Sequence, residues 1–113
     1  MTPEQVVQKQ LEYYNNHDVE GFVSTYSSDV EIYNLGDPVP YLKGVEDLRE
    51  RYIKRFQTPG LHAEIAKRIT LGNYVVDYED ITVLDGEKEV KSNVIATYEV
   101  KDDLIIKVWF ARE

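Results

Sequence analysis

Hydrophobic positions along the chain repeat first at helical and later at strand spacing. Val7, Leu11 and Tyr14 form one stripe, and Thr2-Pro3 followed by Gln5 is a capping arrangement that starts a helix at Pro3. Asn15-Asn16-His17 interrupts the stripe, and Asp18 offers an N-cap for a second helix carrying Val19, Phe22, Val23 and Tyr26. Val30 and Ile32 then alternate with Glu31 and Tyr33 as in a short strand. The run Gly36-Asp37-Pro38-Val39-Pro40 forbids a regular element and reads as a loop on the rim of something. After Gly44 a third helix places Val45, Leu48, Tyr52 and Phe56 on one face. Its acids Glu46 and Asp47 lie in the first turn and its bases Lys54 and Arg55 in the last, as the helix dipole favours, and Thr58-Pro59-Gly60 ends it.

Beyond Leu61 the apolar residues are mostly β-branched, punctuated by Gly72-Asn73, Asp85-Gly86 and Asp102-Asp103. The first two pairs are hairpin signals, so the spacing predicts an antiparallel meander over 61–71, 73–84, 88–100 and 104–112. The element order is α-α-β-α-β-β-β-β, an α+β fold in which three N-terminal helices cover one face of a curved, mainly antiparallel sheet. Three helices cannot fill the concave side, which leaves an internal pocket. In the last strand Leu104, Ile106, Val108 and Phe110 fall on one side and Ile105, Trp109 and Ala111 on the other, so both faces need cover. The helices supply one cover; a two-fold homodimer through the open sheet face is expected to supply the other.

With 13 basic and 21 acidic residues in 113, the chain is a single acidic domain of net charge −8, and its 42% hydrophobic content supports a core without staples. Acidity argues against nucleic acid as a partner. The absence of cysteine rules out disulfides and thiolate chemistry and fits a reducing, cytoplasmic setting. Met1-Thr2-Pro3-Glu4-Gln5 has neither a basic leader nor an apolar run, so neither secretion nor a membrane is expected. No cofactor motif stands out, and His17 and His62 lack metal-ligand spacing, so neither cofactor nor metal is expected.

Several stretches resemble the nuclear-transport-factor-2-like superfamily, in particular its SnoaL-like polyketide cyclase and ketosteroid isomerase branch. They are Asn16-His17-Asp18-Val19-Glu20-Gly21-Phe22, Tyr26 to Tyr33, Pro40 to Val45 and Gly72 to Glu79, with the closing Asp103 to Phe110. The resemblance implies one cone-shaped domain over residues 1–113, a dimer through the open sheet, and a pocket for a small, largely apolar or amphipathic molecule. It also shows what is missing. Aligned on Asp18 and Gly44, Gln10 stands where the isomerases carry their tyrosine, Asn34 where they carry the base and Ala96 where they carry the protonated acid. The epoxide hydrolases of the superfamily use an Asp-Arg-Asp set; the matching stretches Glu79 to Thr82 and Trp109 to Ala111 hold no arginine between acids.

The candidate catalytic residues are Asp77 and Glu79, two carboxylates on one strand face among Val75, Ile81 and Val83. Facing a cavity, they would serve as general acid and base; the other reading is a cross-strand ion pair with Arg68, Lys91 or Arg112. Gln10, Tyr14, Asn34, Tyr52, Phe56, His62 and Ala96 are the candidate ligand contacts, Tyr14 and Tyr52 as hydroxyl donors. Arg49, Arg51, Lys54 and Arg55 wrap around the third helix and read as a solvated face rather than an anion site. The functional expectation is a pocket protein, either a cofactor-free isomerase, cyclase or hydrolase, or else a non-catalytic binding or dimerisation module.

Overall fold

In the computed structural model, which describes residues 1–113, three short helices lie across one face of a six-stranded sheet. The helices are α1 (Pro3–Asn15), α2 (Val19–Ser24) and α3 (Val45–Arg55). The strands are β1 (Tyr26–Asn34), β2 (Leu42–Lys43), β3 (His62–Leu71), β4 (Tyr74–Asp85), β5 (Lys88–Lys101) and β6 (Leu104–Arg112). Spatial order is β2-β1-β6-β5-β4-β3, antiparallel throughout except for the parallel β1 and β6. The α+β class and the meander follow the sequence reading. No helix is long and apolar enough to cross a membrane.

Local chemistry sets the ends of the elements. Thr2 and Gln5 complete a capping box on α1, and the Asp18 carboxylate caps α2 by accepting from the Gly21 amide. Asp102 and Asp103 both take positive φ, the mirror-image turn that matches strand twist, which joins β5 to β6. Two expectations are corrected. Tyr26 belongs to β1 and not to the second helix: the Thr25 hydroxyl bonds back to the Phe22 carbonyl at 2.7 Å, and the Thr25 carbonyl receives the Ile105 amide, so the chain is in the sheet one residue later. The two-residue β2, too short to show a period, pairs with β1 ahead of α3.

Two β-bulges decide which side chains face the helices. On β6, Ile105 pairs with Val100 and Lys107 with Glu99, leaving Ile106 as the extra residue. Ile105 and Val108 are therefore both fully buried, and the strict alternation expected along this strand fails at its start. On β3 the extra residue is Ala66, which turns Ile65 and Arg68, three positions apart, to the same face. The core between sheet and helices centres on Phe22, Ile32, Leu48, Val75, Ile105 and Val108. Asn15, at the end of α1, holds edge strand β3 by exchanging two hydrogen bonds with the Ala63 backbone at 2.8 and 2.9 Å.

Candidate functional site

Between α1, α3 and the inner face of β4, β5 and β6 lies a cavity of about 910 Å³, within the range that takes a small organic ligand. Period-two geometry in β4 aims Asp77, Glu79 and Ile81 inward, opposite Ala96, Val94 and Ser92 of β5. Glu79 reaches the cavity wall and Asp77 does not. Arg68, turned inward by the Ala66 bulge, grips both Asp77 oxygens at 2.6 and 2.9 Å and reaches Gln8 of α1 at 2.9 Å. Asp77 thus takes the cross-strand ion-pair arrangement, bidentate and buried.

Glu79 has no cation within ion-pairing distance; its one hydrogen bond comes from the Tyr98 hydroxyl at 3.3 Å. Burial first, and then the negative charge of Asp77, push its pKa up to about 7, while the Tyr98 hydrogen bond acts in the opposite direction. A carboxyl group so poised is divided between acid and base at neutral pH. Around it stand tyrosines whose pKa values are raised, chiefly by burial: Tyr14, Tyr26, Tyr52 and Tyr98. They keep their protons and offer donors. Gln10 of α1 donates to the Tyr26 hydroxyl at 3.1 Å.

The sequence-derived ligand contacts separate into two groups. Gln10, Tyr14 and Tyr52 line the cavity with Glu79. Phe56 is one layer away, packed edge-on to Tyr14 at 5.4 Å and stacked on His17 at 5.8 Å. Ala96 is buried in the sheet beside Asp77 and Phe110 and is not part of the wall. His62 is exposed, opposite Thr82, and lies outside the cavity because only Ala63 at that end of β3 points inward. Asn34 ends β1 at the surface, where its side-chain oxygen accepts from Arg112 at 3.1 Å.

Sequence reasoning missed Tyr98 and Tyr41. Arg51, Lys54 and Arg55 are exposed, as the solvated-face reading expects, but they also line the cavity together with Arg112. Tyr98 was findable, since it is two residues after Ala96 on an alternating strand. The α3 cations were not, because a helical stripe does not reveal which neighbour it faces.

The sequence model of the SnoaL-like domain matches residues 7–108. No protein of curated function matches the chain. Among solved structures, an uncharacterized cystatin fold protein from Novosphingobium aromaticivorans is 30% identical, covers 99% of both chains and superposes with a TM-score of 0.86. An epoxide hydrolase from Mycobacterium tuberculosis, described as LEH-like, is 19% identical over 96% of this chain and 80% of that one, with a TM-score of 0.80. The epoxide hydrolase/cyclase-like enzyme SalBIII, which has a role in pyran ring formation in the polyether salinomycin, is 15% identical over 98% of this chain and 90% of that one, with a TM-score of 0.83. At such identities the last two share the fold alone.

Proposed function

The chain belongs to the SnoaL-like domain family, and on that premise we propose that it binds a small, largely apolar molecule in the helix-covered cavity and moves a proton on it through Glu79. The observation that carries this reading is the one buried carboxyl group on the wall of a tyrosine-rich cavity, without a cation partner and half ionised near neutral pH. Asp77 supports it from below. Held by Arg68, it stays out of the reaction and keeps the Glu79 proton affinity high through its charge. The tyrosine hydroxyls would donate to an oxygen that gains charge as the proton leaves carbon. Isomerisation, cyclisation and hydrolysis all use such a step, and no cofactor is part of the proposal.

Homodimerisation belongs to the same proposal. The outer sheet face carries a cross-strand row of Ile69, Val76, Thr97, Trp109 and Tyr33, with Tyr33 and Trp109 stacked at 5.8 Å, and a second copy would cover it. A cysteine-free acidic chain fits the cytoplasm.

The test uses 5-nitrobenzisoxazole, whose C3 proton is removed by a general base as the ring N–O bond breaks, leaving a cyanophenolate that is followed by its colour. The protein is expected to accelerate this opening, with a rate that rises as pH passes through about 7 and disappears in Glu79→Gln. Phenolate release no faster than with an equal concentration of acetate would end the base assignment. Retained binding of neutral N-phenyl-1-naphthylamine would then favour a binding module without turnover.

A further inference from the structure

The chain has an excess of acids, and its side-chain ion pairs join Lys43 and Lys107 to Glu31, Arg49 to Glu20 and Glu46, and Arg68 to Asp77. None of the four cations at the cavity mouth, Arg51, Lys54, Arg55 and Arg112, belongs to a pair. The only other charges on the lining are Asp47, Glu50 and, deeper, Glu79. Asp47 and Arg51, like Glu50 and Lys54, stand four residues apart on α3, the spacing at which an acid offsets a base on a helix surface. That leaves Arg55 and Arg112 outside any ion pair or helical acid-base spacing, with Arg112 acting on Glu79 only at longer range, where it lowers that group's pKa.

Arg112 is also built into place. Its guanidinium lies over the Phe110 ring at 4.6 Å and donates to the Asn34 side-chain oxygen at 3.1 Å and the Tyr41 hydroxyl at 3.3 Å. Both acceptors are neutral, so they orient the fork and leave its charge intact. Arg55 comes from the last turn of α3, across the mouth. Tyr14 lines the same cavity: burial raises its pKa, and Arg55, through its charge and a side-chain hydrogen bond, and Arg112, through its charge, counteract that rise. Two guanidinium groups outside any ion pair and a protonated phenol therefore share the lining of a cavity whose remaining wall includes Leu11, Ile81, Val94 and Phe110 and, on β4, Glu79.

Resting on the pocket reading above, we infer that Arg55, Arg112 and Tyr14 receive an anionic oxygen group of the ligand. With the rings of Tyr14, Tyr41, Tyr52, Tyr98 and Phe110 on the lining, the ligand class is an aromatic acid, its carboxylate or equivalent group at the mouth and its body directed toward Glu79. Planar guanidinium forks match carboxylate geometry, and although both arginines are exposed, bidentate charge-assisted bonds of this kind are among the stronger polar contacts. The anchor also fixes orientation, because the negative group is kept away from the Glu79 carboxylate.

A matched pair of fluorescent probes tests this: 1-anilinonaphthalene-8-sulfonate and N-phenyl-1-naphthylamine share a body and differ in the anionic group. The wild-type protein is expected to bind the sulfonate at least about tenfold more tightly, with an advantage that shrinks as ionic strength rises. Arg55→Gln/Arg112→Gln should remove that advantage and leave the neutral probe's affinity unchanged, which also reports an intact cavity; Lys101→Gln, on the far end of β5, should change neither. Equal binding of the two probes, or a preference that survives the double substitution, would overturn the anion subsite and leave the pocket standing. Failure of both probes to bind would remove the pocket reading, and the subsite with it.

Discussion

Glu79 and Asp77 lie two residues apart on one strand face and carry different roles because one has a cation and the other does not. For Glu79 the pKa lies above its ordinary value, so the folded chain holds the proton up to about pH 7 while the unfolded chain releases it near 4.5. Between those values the folded state binds more protons, and stability falls as pH rises, by at most about 3 kcal/mol in total. Glu79→Gln, isosteric and neutral, should therefore match the wild type at about pH 4 and exceed it by roughly 2 kcal/mol at about pH 8. Urea unfolding at the two pH values checks this, and a substitution that destabilises equally at both would contradict the buried, unpaired state of Glu79. Asp77→Asn acts in the opposite sense, since it leaves the Arg68 guanidinium, only 13% exposed, without its counter-charge. A loss of about 3 kcal/mol is expected, and Arg68→Gln added to Asp77→Asn should recover part of it. In Asp77→Asn the pH profile of 5-nitrobenzisoxazole opening should also move to lower pH, because a negative charge that raised the Glu79 pKa is gone.

Among the elements, β3 is the edge strand of the long meander and has a sheet neighbour on one side only. Asn15 supplies a substitute for the missing neighbour at Ala63, and His17 adds a ring-nitrogen contact to the Leu61 carbonyl at 2.9 Å. These residues mark the end of α1 in the sequence, where they read only as a helix break. Their second role depends on contacts 44 to 48 residues away and leaves no local signal. Asn15→Ala strands a buried amide and carbonyl and should cost about 2 kcal/mol in urea unfolding. Hydrogen exchange at the Ala63 amide should accelerate more than at central β5 amides. Uniform acceleration across the sheet would mean that Asn15 supports the whole fold rather than this edge.

At the scale of the whole molecule, the helices cover one face of the sheet and leave the other with its row of apolar and aromatic side chains in water. If a second copy covers that row, sedimentation of the wild-type protein should give a dimer and Trp109→Glu a monomer with an unchanged far-ultraviolet spectrum. A monomeric wild type at high concentration would exclude the homodimer. Separation of the two faces also makes the cavity independent of this interface: the monomeric variant should bind N-phenyl-1-naphthylamine as the wild type does.

The sequence by itself determined the features that depend on near neighbours along the chain. Capping at Thr2 and Asp18, the turn chemistry at Gly72-Asn73 and Asp85-Gly86 and the alternation of β4 place the elements within a residue or two and put Asp77 and Glu79 on the inner face. Caps, turns and the two-residue period are set within a few bonds, so a local pattern encodes them. Tertiary structure alone decided the partners. One extra residue at Ala66 inverts the facing of the rest of β3 and delivers Arg68 to Asp77; another at Ile106 does the same to the start of β6. A bulge answers to the way a twisted sheet fits the helices above it, and neither Ala nor Ile announces one. The gathering of Arg55 from α3 with Arg112 from β6 at one opening has the same origin, since no spacing along the chain records which helix face meets which strand end.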